Sequence, residues 1–236
     1  MRLIAFLLLT LAAYGQSYDK TTSADLTDVS NPNRIVKFSG KAQWRETRKD
    51  DYVTLCPRVT ISLENISGKN IVAFVSIFKL LAFRGPEDEI RYAHDFFFKP
   101  KEWAAGEVDK MELPESIHGP YHITSQPEQP SYLKAQLLFV QFDDGTTWGD
   151  QTVGDTLISQ RAEVEEFTSK LLSIYSTQGE AGVVAELEAD HKGHGSVASV
   201  ARTLNELRVT SGIQAVIERI KERSAVASHR RSTGKF

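Results

Sequence analysis

From Arg34 onward the chain carries short apolar runs separated by turn residues, the texture of an antiparallel β domain. Ile35-Val36-Lys37-Phe38 opens it. Arg58 to Glu64 alternates, with Val59, Ile61 and Leu63 on one face and Thr60 and Ser62 on the other. A polar turn from Asn65 to Asn70 leads into Ile71 to Phe83, a long strand rich in Val, Ile and Phe. Gly85-Pro86-Glu87-Asp88 breaks that strand, because proline cannot donate to a ladder. Ile90 to Phe98 and Val108 to Leu113 predict further strands, with a tight connection at Ala104-Ala105-Gly106-Glu107 between them. Pro114, Pro120, Pro127 and Pro130 predict an extended loop. Tyr132 to Phe142 and Thr146-Thr147-Trp148 flank Asp143-Asp144-Gly145, the signature of a short hairpin.

After Gly149 the period changes from 2 to about 3.6 residues, the repeat of an α-helix. Leu157, Val164, Phe167, Leu171 and Ile174 form one stripe, away from Glu163, Glu165, Glu166 and Lys170. Thr177 with Glu180 fits a capping box for a second, shorter helix carrying Val183, Val184 and Leu187. Gly193 and Gly195 then break the chain. Val197, Val200, Ala201, Leu204 and Leu207 mark a third helix, with Ser196 as its N-cap. Ser211 with Gln214 fits another capping box, ahead of Ile213, Val216, Ile217 and Ile220 on a fourth. The fold class is therefore α+β: a β domain over 34–150, a helical region over 153–228 and a frayed end over 229–236.

The first residues belong to neither part. Arg2 precedes an apolar run from Leu3 to Ala13, which closes on Ala13-Tyr14-Gly15. A basic start, a short apolar core and small residues at −3 and −1 are the marks of a secretory signal peptide over 1–15, cleaved at Gly15/Gln16. Gln16, Asp19 and Lys20 arrive too soon for a membrane-spanning helix of about 20 apolar residues. Residues 16–33 are polar and aperiodic, and read as a mobile arm. Export places the protein in the periplasm or outside the cell. Cys56 is the single cysteine, so no internal disulfide can form, which suits a bacterial exported protein. Asn65-Ile66-Ser67 is a glycosylation sequon that in a bacterial host is simply a turn. The net charge of −3 gives no ground for a nucleic-acid partner.

The turn Asn65-Ile66-Ser67-Gly68-Lys69, the strand after it and then Phe78-x-Leu80-Leu81-Ala82-x-x-Gly85 resemble the FxLYD-type immunoglobulin-like domains of exported bacterial proteins. Phe78, Leu80 and Gly85 match that family's spacing, and Ala105-Gly106-Glu107 fits its later connection. Leu81 and Ala82 stand where the family has Tyr and Asp. The resemblance spans about residues 35–148 and implies an immunoglobulin-like β-sandwich that serves as an interaction module, with no catalytic residue to carry over. Fold alone does not give function.

Among chemical groups, Asp190-His191-Lys192-Gly193-His194 is the cluster that invites a metal. His191 and His194 could supply two zinc ligands, with His94, His118 or His122 as a third. That spacing matches no zinc signature with a mechanism behind it, and a polar Gly-rich loop between two helices explains it better. Asp143, Asp144 and Asp150 lack the spacing of a calcium loop. Trp44, Trp103 and Trp148 could stack on sugars, or fill the core.

Charge distribution is the stronger clue. Acids dominate from Asp143 to Asp190, and bases from Arg202 to Lys235. Either the acidic helices pack against the basic ones, or the basic end docks on a partner through Arg219, Arg223, Arg230 and Arg231. The leading expectation is a non-catalytic exported protein that binds or scaffolds another protein or an envelope component, with no cofactor. A metal-assisted hydrolase using His191 and His194, or a carbohydrate-binding module, are the alternatives.

Overall fold

The computed structural model describes residues 18–29, 35–82, 86–113, 118–123, 129–189 and 195–233. Residues 1–15, expected to form a signal peptide, and the loop carrying His191 and His194 lie outside those residues. The strands are β1 (Tyr18–Asp28), β2 (Val36–Lys49), β3 (Tyr52–Asn65), β4 (Ile71–Leu81), β5 (Glu87–Asp95), β6 (Val108–Leu113), β7 (His118–His122), β8 (Tyr132–Phe142) and β9 (Thr147–Gly149). They form one curled, mostly antiparallel sheet of nine strands, a half-barrel, ordered β5-β4-β8-β1-β2-β3-β6. β7 lies against β3 and β9 against β8.

β1 joins the two halves of that sheet. Tyr18 to Asp25 pair antiparallel with β2, and Leu26 to Asp28 pair in parallel with β8. The halves then face each other across one apolar core, where Phe38 of β2 meets Phe78 of β4 edge-to-face at 5.8 Å. Val36, Phe38, Ala42 and Trp44 alternate inward along β2, as do Val59, Ile61 and Leu63 along β3. Period-two patterning thus becomes one side of the core directly.

β4 behaves differently, because both of its faces are covered. Phe74, Phe78 and Leu80 join the central core, while Ala73 and Val75 pack with Phe139, Val153 and Leu157. A strand buried on both faces has no polar side to show, which accounts for the unbroken run Ile71 to Val75. Its outer cover is helical: α1 (Gln151–Glu188), α2 (Ser196–Ser211) and α3 (Ile213–Ser232). α1 sets Val153 and Leu157 on β4 and β8, and α3 brings Ala227 against Val72 and Phe97. The helices hold a core of their own around Phe167, Leu171, Leu204, Ile217 and Ile220. Among the described residues no helix is long and apolar enough to cross a membrane.

Several local expectations need correction. Residues 18–28, read as part of a mobile arm, form β1. Their inward positions are Thr22, Ala24 and Leu26, too weakly apolar to show a period. The hairpin from β2 into β3 turns at Asp50, whose φ of 55° is the left-handed conformation that such turns require and that Asp tolerates. Within the proline-rich 114–130 segment, His118–His122 pairs with β3 as β7. The first two helices are one element broken at Gly179, where φ is 68°. Thr177 does not cap there, since its hydroxyl donates to the Ser173 carbonyl at 3.0 Å. Gly195 rather than Ser196 is the N-cap of α2, and Gly212 that of α3, neither with a side-chain cap. The final helix continues to Ser232, past the frayed boundary expected at 229.

Candidate functional site

The four arginines proposed for docking are engaged within the chain. Arg230 is buried at 4% exposure, and its Nη1 donates to Glu102 at 2.6 Å. Its Nη2 donates to the carbonyl of Lys99 at 3.0 Å. Arg231 pairs with Glu165 of α1. Arg223 lies over the Phe98 ring at 5.6 Å, and Arg219 pairs with Glu222 on its own helix at 3.7 Å. Arg208 of α2 also reaches Glu188 of α1 at 2.8 Å. Opposite charges along the tail therefore meet across helix contacts, the internal alternative to a docking surface. Arg161 is the buried counterpart on α1. It bonds Asp95 through two nitrogens and Gln141 through the third, with its guanidinium 4.7 Å from the Phe97 ring centre.

Other candidates resolve into structural roles. Asn65 is fully buried, and its amide donates to the carbonyls of Lys69 (2.8 Å) and Trp103 (2.9 Å). Its oxygen accepts from the Ser67 backbone and hydroxyl. A glycan on that nitrogen is incompatible with this arrangement. Asp150 caps α1 through Thr152 N at 2.9 Å. Asp144 accepts from Lys69 at 2.6 Å and from Thr146, and these bonds hold its carboxyl well below the usual range. Trp44 and Trp103 are core residues at 3% and 2% exposure, and Trp148 is half-buried. Cys56 is half-buried on β3, opposite Arg45. Among the described residues no group of three potential metal ligands comes together. His94 and His122 belong to different strand edges, β5 and β7.

Functional groups do converge along the seam where the edge of β5 faces β6 and β7. Alternate residues of β5 (Asp88, Ile90, Tyr92 and His94) turn toward it. Met111 and Tyr121 answer from β6 and β7, and Asp109 lies 4.0 Å from the His94 ring. His94 stacks on Phe96 with ring centres 4.2 Å apart and planes within 5°. Lys99 Nζ lies 2.6 Å from His94 Nε2, and Tyr92 Oη lies 2.9 Å from Nδ1. An ammonium can only donate, so Nε2 is the acceptor and Nδ1 carries the proton toward the tyrosine oxygen. Burial, and then the Lys99 charge, push the His94 pKa down, against the opposing pull of Asp109 and Asp95. Burial and Asp109 push Tyr92 up. His94 is therefore neutral around pH 7 and Tyr92 keeps its proton, a polar set suited to hydrogen bonding.

At the other end of the seam Trp44, Leu55, Pro57, Pro86, Asp88 and Tyr121 enclose a notch of about 10 Å³. Burial, then the Asp88 charge, raise the Tyr121 pKa. Beyond Trp44 on the same face lies Glu46, 2% exposed, with one oxygen bonded to Arg48 and the other without a partner. Lys20 stands across from it in the β1–β2 ladder. A second cleft, about 180 Å³, runs between α1 and α3, where Glu165 and Arg231 pair on its lining.

The seam was not legible beforehand, because its residues alternate within strands that looked like ordinary edges. The one available signal was His94 and Asp88 at even spacing on β5. No family model, curated protein or solved structure matches this chain.

Proposed function

We propose that this chain is a non-catalytic binding module exported from a bacterial cell, an immunoglobulin-like β fold whose contact face is the seam between β5 and β6–β7. The carrying observation is the division of surfaces. The helices occupy the outer face of β4 and β8, and Arg161 and Arg230 tie them to the sheet side. Among the described residues β5 pairs only with β4 and β6 only with β3, so both strands bordering the seam keep an open edge. Open edges accept an extended segment through main-chain hydrogen bonds, and alternate side chains beside them supply specificity. Among the described residues the seam offers neutral hydrogen-bonding groups, two acids and aromatic rings, without an activated nucleophile beside a base. The division of β1 between two facing sheet halves fits the immunoglobulin-like reading, and the apolar N-terminal run supports export.

Affinity capture from the native envelope tests this with two baits, the mature wild type and Asp109→Lys. Asp109 is well exposed at 40% and lies on the seam, so its reversal changes the contact face while the core stays intact. The expected result is a partner enriched on the wild type and lost on Asp109→Lys. Equal enrichment on both, or saturable turnover of a hydrolase substrate by the purified protein, would overturn the proposal.

A further inference from the structure

We infer that the notch at the β7 end of the seam recognises a single primary ammonium, the side-chain head of a lysine on the bound partner. This rests on the seam being the binding face and names the group that face reads. Trp44 and Tyr121 line the notch with aromatic surface, and Asp88 places a carboxylate on the same lining. Aromatic rings beside a carboxylate attract a cation. Leu55, Pro57 and Pro86 add apolar wall, which suits a cation carried on an alkyl stem.

Size then decides among cations. The free space of about 10 Å³ is close to what one water molecule needs. An ammonium head has that size, whereas a guanidinium or a trimethylammonium group does not.

The probe is Nα-acetyl-lysine N-methylamide, titrated into the full mature chain while the Trp44 indole N–H is followed by NMR. A saturable shift is expected at Trp44 and not at Trp103 or Trp148. The norleucine and Nε-acetyl-lysine analogues, which keep the stem and lose the charge, should leave Trp44 unmoved. Asp88→Asn should weaken the lysine probe about fivefold or more. Equal shifts with norleucine, or full affinity in Asp88→Asn, would overturn the inference. Should the variant fail to fold, the comparison of lysine with norleucine on the unaltered chain still decides. A partner lost on Asp109→Lys but retained on Asp88→Asn removes the notch and leaves the seam. Lysine-probe binding without any captured partner keeps the notch and removes the seam's role.

Discussion

Arg161 of α1 forks onto Asp95 at the end of β5, Nε to Oδ2 at 2.8 Å and Nη2 to Oδ1 at 2.9 Å. The two residues are 66 positions apart, and the pair ties the helical layer to the sheet beside the seam. A two-bonded arginine–carboxylate pair also fixes orientation, so it sets how α1 crosses the strands.

Arg161→Met removes that fork and strands Asp95 and Gln141 at the interface. Breaking a buried pair by taking one partner costs about 3 kcal/mol. Urea unfolding should show that loss, and limited proteolysis should open the chain near 149–154. A double variant with Asp95→Asn should recover part of it, because the uncompensated charge is gone.

Asn65→Ala should cost about 2–4 kcal/mol, since it leaves two carbonyls and two Ser67 donors to find other partners. The Trp103 fluorescence spectrum reports the same change locally, because the Asn65 amide holds the Trp103 carbonyl. A thermal midpoint unchanged from wild type would mean that the buried network is replaceable.

Gly154 sits in the first turn of α1 against the Phe139 ring, where an added methyl would collide with that ring. Alanine is the better helix former by about 1 kcal/mol, yet overpacking costs about 1–3 kcal/mol. Gly154→Ala should therefore lower the thermal midpoint, and Gly154→Ala with Phe139→Leu should restore part of it.

His94 has a folded pKa below its ordinary value of 6.5. The unfolded chain thus binds the proton more readily than the folded one, and stability rises with pH across that window. Its contribution is complete above about pH 6.5 and is lost as pH falls through the lowered value. Stability measured between pH 7 and pH 5 should fall more steeply for the wild type than for His94→Gln, with the carboxylates common to both. Parallel profiles would show that His94 titrates as it does in the unfolded chain.

Much of this architecture is legible in the chain, and what is not has physical reasons. Strong alternation, as in Arg58 to Glu64, becomes a strand because one face meets the core and the other meets water. The helical stripe from Leu157 to Ile174 survives for the same reason. β1 is hidden because Thr22 and Ala24 gain their burial from neighbouring strands rather than from their own apolarity. Arg161 and Arg230 read as surface charges until the acids that receive them, Asp95 and Glu102, arrive from distant elements. The seam is illegible for the same cause: His94, Asp109 and Tyr121 belong to three strands and meet only once the half-barrel curls.

A site-resolved crosslinking scan tests the central claim most directly. A photoreactive residue would replace Ala93 on β5 or Lys110 on β6, both at the open edges, and Arg202 or Val209 on α2 as controls. In the native envelope the edge positions should form a discrete adduct that Asp109→Lys abolishes, while the α2 positions remain dark. Adducts from α2 with none from either edge would contradict the seam as the contact face.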